Sequence, residues 1–423
     1  MPKENSLEYW LDYIQTIQPK EINLGLQRIK HIYDQLIRSK ITSKVIVVGG
    51  TNGKGTTAEF LSQLLVSKNK TVGTFTSPHL FNFNERIKIN GKPVSDESII
   101  ESFKLIEESR GSINLTYFDF STLASLLIFN KFKVDYMVLE IGLGGRLDPV
   151  NIVDSDIAIL TNVELDHQDW LGEDRESIGK EKAGIFKPNK PVIIGQHEIP
   201  NSVHKKILET KNQAFVVGKE FDYQVDDLNK KWTFTFKGEK QVTYSDIKLS
   251  SFSVSSLSCA LAAFCLLDQE ISLDMDDIFS SLDLKGRCEL IDNRYLLDVS
   301  HNESSARYLS SFIERNFEDG TIINAVFGVM EGKDVDSILE ALATKINKWY
   351  VTSTDIKRSM AIEKLGGIIT SRGSNNVELL GSVAEACMKA QEETEEGGLV
   401  LIFGSFYTVA EAFPALKLLR SVA

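Results

Sequence analysis

The stretch Val45 to Thr57 reads Val-Ile-Val-Val-Gly-Gly-Thr-Asn-Gly-Lys-Gly-Thr-Thr and continues as Ala-Glu-Phe-Leu-Ser-Gln-Leu-Leu. An apolar strand that enters a glycine-rich turn and leaves as a helix lets backbone N–H groups converge on phosphate oxygens. The helix N-terminus favours the anion, and Lys54 adds charge to the β and γ phosphates. Gly53, Lys54, Gly55 and Thr56 are therefore candidate phosphate contacts, and Thr56 or Thr57 offers a hydroxyl to Mg²⁺. The segment departs from the strict phosphate-loop spacing, because Gly50 precedes Gly53 by only three residues and Gly55 separates Lys54 from Thr56. A glycine turn with an incidental lysine is the plainer alternative, disfavoured by the flanking strand and helix. A dinucleotide site is disfavoured, since the Gly142-Leu-Gly-Gly145 run has neither the glycine spacing nor the acidic ribose partner.

Three further segments place polar residues where strands end. Thr76-Ser77-Pro78-His79 follows Thr-Val-Gly-Thr-Phe, Glu140 closes Asp-Tyr-Met-Val-Leu, and Asp166-His167 comes just after Asp-Ile-Ala-Ile-Leu-Thr-Asn. In a parallel sheet these ends face the edge that carries the phosphate loop. Thr56, Ser77, Glu140 and His167 would then form a hydroxyl, carboxylate and imidazole set suited to Mg²⁺, which keeps waters and bridges substrate phosphates. Taken singly, a histidine after a strand or one glutamate reads as structural; next to a phosphate loop they read as ligands.

These groups need a frame, and the chain supplies one. Continuous apolar runs at Val45–Val48, Tyr136–Leu139, Ile157–Leu160 and Val192–Ile194 predict strands buried on both faces, hence a parallel sheet between helices. From Phe221 to Leu249 period-two alternation predicts an antiparallel ribbon on the edge of the first domain. After an apolar helix around Leu257 to Leu267, ending at Asp268, a second series of strands is predicted at 295–299, 322–327, 349–352 and 399–403. The expected boundary lies near Lys285, giving domains 1–284 and 285–423. The acidic run Gln391–Glu396 reads as a solvated helix end.

Composition agrees with a folded, multi-domain chain. The 423 residues are 42% hydrophobic and 25% charged, which disfavours disorder, collagen and coiled coil. Lysine and arginine number 47 against 59 acids, a net charge of −12, so no general nucleic-acid footprint is expected. No stretch is apolar for long enough to span a bilayer and the start has no signal-peptide core, so a cytoplasmic protein is expected. The four cysteines form no metal-ligand or disulfide pattern and are expected to be free, buried thiols.

Taken in order, Gly-Thr-Asn-Gly-Lys-Gly-Thr (50–56), Thr-Ser-Pro-His-Leu (76–80), Glu-Arg-Ile (85–87) and Glu-Ile-Gly-Leu-Gly-Gly-Arg-Leu-Asp (140–148) begin a recognisable set. Leu-Asp-His-Gln-Asp-Trp-Leu-Gly (165–172), Glu-Lys-Ala-Gly-Ile-Phe-Lys (181–187), Gly-Arg-Cys-Glu (286–289), Leu-Asp-Val-Ser-His-Asn (297–302) and Phe-Gly-Ser-Phe-Tyr-Thr-Val-Ala-Glu (403–411) complete it. This set resembles folylpolyglutamate synthase, including its bifunctional dihydrofolate synthase form, within the Mur ligase superfamily. The resemblance implies an α/β protein with a P-loop parallel-sheet N-terminal domain, a smaller Rossmann-like C-terminal domain and an active site between them. It implies ATP-dependent amide ligation: a substrate carboxylate forms an acyl phosphate with ATP, and the amine of L-glutamate displaces phosphate.

The same resemblance assigns residues. Lys54, Lys182 and His167 take catalytic roles, and Lys182 matches a lysine that the superfamily carbamylates, which would let it hold a second Mg²⁺; an ordinary surface lysine is the alternative. Arg287 and Asp298 match ATP contacts, while His301 and Ser256 are weaker matches. Thr116, Tyr117, Phe118, Asp119, Leu147, Asp148 and Pro149 match the dihydropteroate site; for the aromatic pair core packing is the rival reading. Implied partners are ATP, L-glutamate and dihydropteroate or folate, with two Mg²⁺ ions and K⁺ as candidate cofactors, in a monomer that binds neither nucleic acid nor membrane.

Asp119 stands where the family has Glu, Pro149-Val150 where it has Ala-Thr, and Ser256 where it has Asn. The first two departures leave the choice of pterin less determined than ATP binding. A cell-wall Mur ligase acting on a UDP-MurNAc substrate is the nearest rival, but only 44 residues precede Val45, too few for its expected sugar-nucleotide domain. A non-catalytic P-loop nucleotide-binding protein would not need the C-terminal motifs.

Overall fold

Val45, Ile46, Val47 and Val48 are all buried, and the strand they form, β1 (Lys44–Gly49), runs inside an eight-stranded sheet. A β-branched run is shielded on both sides only where helices or a second sheet cover both faces. The computed structural model describes residues 6–17, 25–38, 41–238, 241–267, 275–282 and 284–422. The chain divides into two compact units, Met1–Leu282 and Asp283–Ala423.

In the first unit the strands are β1, β2 (Val72–Phe75), β3 (Ile87–Ile89), β4 (Lys92–Pro93), β5 (Tyr136–Glu140), β6 (Ile157–Leu160), β7 (Val192–Ile194) and β8 (Ala214–Val216). Their order is β4-β3-β2-β5-β1-β6-β7-β8. The six from β2 to β8 are parallel, with Val48 beside Glu140 and Gly49 beside Leu160. The parallel sheet expected from sequence is extended at one edge by β3 and β4, which run antiparallel. Asn90 and Gly91, both with positive φ, make the tight turn between them.

Helices α1 (Leu7–Thr16), α2 (Gln27–Leu36), α4 (Asp96–Arg110) and α5 (Tyr117–Phe132) share one apolar core with one face of the sheet. The other face is covered by α3 (Lys54–Val66) and α9 (Val254–Leu266), which pack on each other. Both are buried nearly all round; α9 is mostly apolar, while α3 also buries Thr56, Thr57, Glu59, Ser62 and Gln63. Asp268, where the apolar run was expected to end, lies outside the described residues.

Between these elements come α6 (Gln168–Leu171), α7 (Arg175–Lys182) and α8 (Asn201–Glu209). The alternating segment, expected as an antiparallel ribbon on the edge of the first domain, is antiparallel as read. It forms a sheet of its own, β11-β10-β9 (Gln241–Lys248, Lys231–Lys237, Phe221–Asp226), that packs on α9. Trp232, Phe234 and Phe236 point inward, so the period-two pattern buries its apolar face against a helix. Helix α10 (Met275–Ser281) ends the unit.

The second unit is built on the order β12-β13-β17-β14-β15-β16, strands Glu289–Ile291, Tyr295–Asp298, Leu399–Phe403, Ile323–Phe327, Lys348–Val351 and Val377–Leu379. All pair in parallel except β12. Helices α11 (Glu303–Asn316), α12 (Val335–Leu342), α13 (Ile362–Ser371), α14 (Val383–Glu393) and α15 (Phe406–Val422) complete it. The acidic run is more than a solvated helix end: Glu393 accepts from Lys348 and Tyr350 at 2.5 and 2.8 Å, which holds its carboxyl down at about 2. All four cysteines are free; Cys259, Cys288 and Cys387 are buried and Cys265 is half-buried. Among the described residues no helix is long and apolar enough to cross a membrane.

One buried ion pair ties the phosphate-loop helix to the sheet edge. Lys88 of β3 donates to Glu59 of α3 at 3.2 Å, with both side chains under 10% exposed, and Gln63 donates to the same carboxylate at 3.3 Å. Removing one member leaves the other charged and dry. Lys88→Ala is expected to lower unfolding stability by about 3–5 kcal/mol, measured by urea denaturation, whereas Glu59→Leu combined with Lys88→Met should recover most of the loss.

Candidate active site

Strands β2, β5, β1 and β6 are neighbours, and the residues that follow each of them gather at one sheet edge. After β1 the chain turns through Gly50 to Gly53 into α3, and Gly53 adopts the left-handed conformation (φ 79°) at the helix N-cap. A Cβ on Gly53 would overlap the Ser256 hydroxyl, so glycine is required there and Ser256 of α9 braces the loop. The Lys54 ammonium lies back over the loop, donating to the Thr51 carbonyl at 3.1 Å. The Thr57 hydroxyl is committed to the Ser256 carbonyl at 3.1 Å, which leaves Thr56 as the hydroxyl of the pair for a metal.

The Glu140 carboxylate is buried at the end of β5. It accepts the Ser77 N–H at 2.8 Å and comes within 3.5 Å of the position a Cβ would take on Gly55. Ser77, Glu140 and the start of α3 therefore meet. His167 follows β6 with positive φ (53°) and an imidazole 42% exposed, beside Asp166. Among the described residues no three His, Cys, Asp or Glu side chains converge as a metal cluster. By donor chemistry the buried Glu140 carboxylate with the Ser77 and Thr56 hydroxyls would suit Mg²⁺, leaving positions for water and phosphate oxygens, with the His167 imidazole as a further candidate from the end of β6.

Lys182 is not a surface lysine. At the end of α7 it is 5% exposed, and its ammonium donates to the Gly50 carbonyl of the phosphate loop at 2.7 Å. Burial, and then the Lys54 charge, lower its pKa from 10.5 to about 7 against the pull of Asp166 and Asp148. Protonated burial costs stability in full below about pH 7, and the cost fades as pH rises towards 10.5, where the unfolded chain also loses the proton. Gly145 makes room for this lysine's helix: a Cβ there would lie 2.9 Å from the Lys182 carbonyl oxygen.

The two segments matched to dihydropteroate come together. Phe118 lies against Gly142 and, at 5.7 Å between ring centroids, against Phe75. Tyr117 instead faces Phe83 and the Arg86 guanidinium. Thr116 caps α5, and its N–H donates to Asp119 at 2.7 Å, while Arg28 lies 3.5 Å from the same carboxylate. Asp148 accepts from the N–H groups of Leu143 and Val150 and starts the turn containing Pro149, next to the half-buried Leu147. Burial pushes Asp119 up and Asp148 up to about 7, and the Asp119 charge adds to the rise of Asp148.

In the second unit Arg287 stacks over Phe406 at 4.8 Å from the ring centroid. Asp298 is buried, and its oxygens accept from the Cys288 N–H at 2.8 Å and from the Ser300 N–H and hydroxyl. His301 holds its Nδ1 2.9 Å from the Val299 carbonyl.

Residue typing overlooked the clamps on the phosphate loop. Asn162 Oδ1 accepts the N–H groups of Thr51 and Asn52 at 3.1 and 2.9 Å, and the Thr161 hydroxyl donates to the Asn52 carbonyl at 2.6 Å. Asp166, as a charge beside Lys182, was likewise read only as the neighbour of His167. The available signal was position, since Thr161-Asn162 leaves β6 next to β1. Asn162→Ala is expected to weaken ADP binding about tenfold by isothermal titration, because the Asn52 N–H loses its side-chain acceptor and Thr51 keeps only the Asn162 main-chain carbonyl; an affinity within about twofold of wild type would show that the loop holds itself.

Two family models match: the Mur ligase middle domain over residues 48–267 and the Mur ligase glutamate ligase domain over residues 286–406. A dihydrofolate synthase/folylpolyglutamate synthase of Buchnera aphidicola subsp. Schizaphis graminum is 37% identical, over 98% of each chain. The structure of E. coli FolC in complex with DHPP and ADP superposes with a TM-score of 0.92 at 35% identity, covering 99% of this chain and 100% of that one. A bifunctional folylpolyglutamate synthase/dihydrofolate synthase solved with Mn, AMPPNP and L-glutamate gives 0.88 at 33% identity, covering 98% and 99%. The chain belongs to the dihydrofolate synthase/folylpolyglutamate synthase family of Mur ligases.

Proposed function

We propose that the chain is an ATP-dependent carboxylate–amine ligase that adds L-glutamate to dihydropteroate and to reduced folates. The observation that carries the reading is the gathering of the phosphate loop, Glu140 with Ser77, and buried Lys182 at the ends of neighbouring strands. Family membership over the whole chain supplies the reaction class.

In this reading the N–H groups of Gly53, Lys54, Gly55 and Thr56 and the Lys54 ammonium hold the ATP phosphates, whose transfer depends on positioning and charge neutralisation. Thr56, Ser77, Glu140 and His167 would hold Mg²⁺, which screens the charge on the phosphates. The acceptor carboxylate takes the γ-phosphoryl group, forming an O–P bond as the bond to ADP breaks. The amine of glutamate then adds to the acyl carbon, loses a proton and expels phosphate. Arg287 suits phosphate geometry. Asp298 contributes to ATP binding through the loop it shares with Ser300 and His301, and Ser256 through its brace on Gly53.

For the acceptor we assign Phe118 to the pterin ring, beside Asp119, Asp148 and the turn at Leu147 and Pro149. Thr116 and Tyr117 frame that group. Two Mg²⁺ sites, a K⁺ requirement, a monomeric state and a cytoplasmic location belong to the same proposal, as does a division of labour between residues 1–284 and 285–423. ADP release with glutamate and either dihydropteroate or tetrahydrofolate tests it. Turnover with both acceptors is expected; turnover with neither contradicts the reading, and turnover with one restricts it to that acceptor.

Lys182 provides a sharper test. An amine with pKa near 7 carries a substantial neutral fraction in neutral buffer, so its nitrogen can add to CO₂, releasing a proton and leaving an anionic carbamate. That product replaces an ammonium beside the phosphates with two oxygens able to hold a second cation. Lys182→Ala is expected to lose activity and to regain part of it with added short carboxylates; full activity without them would remove the carbamate from the reaction.

A further inference from the structure

The loop that carries Ser77 is tied down by a residue outside every role assigned above. Glu85 reaches back into the loop, and its carboxylate accepts three consecutive backbone N–H groups: Leu80 at 2.7 Å, Phe81 at 2.9 Å and Asn82 at 2.7 Å. The neighbouring residue closes the same loop from the other side. Arg86 Nε donates to His79 Nδ1 at 2.8 Å, and the Arg86 carbonyl accepts the Thr76 N–H at 3.0 Å. Beyond the loop, β3 is anchored to the phosphate-loop helix by the Lys88–Glu59 pair.

These ties converge on one outcome. The Ser77 N–H meets Glu140 at 2.8 Å, so the hydroxyl of Ser77 and the carboxylate of Glu140 keep their relation only while the loop keeps its shape. Three N–H groups on one carboxylate define that shape, since an acceptor with two oxygens satisfies them together where a neutral amide offers one. We infer that Glu85 is a positioning residue for divalent-metal binding: it sets the Ser77 loop against Glu140 while touching neither metal nor nucleotide. The inference rests on the assignment of Ser77 and Glu140 to the metal.

The test compares nucleotide binding with and without metal, in the full chain. Glu85→Gln preserves size and Glu85→Asp preserves charge at a shorter reach. Binding of Mn²⁺ in the presence of AMPPNP is read by electron paramagnetic resonance, metal-free ADP binding by calorimetry in EDTA, and backbone N–H exchange over residues 80–82 by mass spectrometry. Mn²⁺ affinity is expected to fall about tenfold in Glu85→Gln and less in Glu85→Asp, while metal-free ADP binding stays within about twofold and exchange at 80–82 quickens. Unchanged Mn²⁺ affinity, or an equal loss of metal-free ADP binding, overturns the inference. So does fast exchange at 80–82 in wild type, a result that needs no variant. If wild type binds AMPPNP equally well with and without Mn²⁺, the Ser77 and Glu140 assignment itself fails.

Discussion

A lysine ammonium buried against a backbone carbonyl is the constraint around which the first unit is organised. Lys182 Nζ sits 2.7 Å from the Gly50 oxygen, inside protein, at a place where Lys54 already brings positive charge. Two cations beside one loop are tolerable only where anions or deprotonation relieve them. Asp166 and Asp148 supply part of that relief, and the lowered pKa supplies the rest. Gly145 lets the end of α7 come close enough to deliver the lysine, since a Cβ there would lie 2.9 Å from the Lys182 carbonyl oxygen.

The sheet turns this local arrangement into a site. Parallel pairing of β2, β5, β1 and β6 places four strand ends side by side, and each contributes a group that no neighbour in sequence could provide. What distinguishes the edge from an ordinary set of loops is the number of side chains spent on fixing backbone. Asn162 and Thr161 hold the phosphate loop, Ser256 braces it from α9, Asp148 pins the glycine segment, and Glu85 gathers the loop after β2. Electrostatic stabilisation of a transferred phosphoryl group demands donors fixed before the reaction begins, and these ties are how a flexible backbone meets that demand.

Much of the frame was legible because burial on both faces leaves a plain mark: Val45–Val48, Ile157–Leu160 and Leu399–Phe403 are continuous apolar runs and all are central strands. The antiparallel edge was missed although Asn90-Gly91 is a strong turn signal, because β3 and β4 are too short to show periodicity. The alternating segment was legible as antiparallel, but its packing on α9 was not; alternation reports that one face is buried, not what covers it. At the site, residue type pointed to Lys54, Glu140 and Ser77. It could not separate Thr56 from Thr57, whose hydroxyl goes to Ser256 some two hundred positions away. Nor could it see that Lys182 is buried, since its neighbours Glu181 and Lys180 give the helix a solvated composition. Asn162 and Glu85 act through backbone contacts, which leave no mark in a list of candidate catalytic residue types.

The central claim, that the buried Lys182 amine is near neutrality in the folded protein and open to CO₂, can be observed directly. Carbon-13 NMR of the protein in labelled bicarbonate reports a carbamate as a distinct resonance. The account predicts one such signal in the wild-type chain, growing as pH rises through about 7 and absent from Lys182→Ala. No carbamate signal at any pH, or one that grows in only as pH approaches the ordinary lysine value of 10.5, would contradict it.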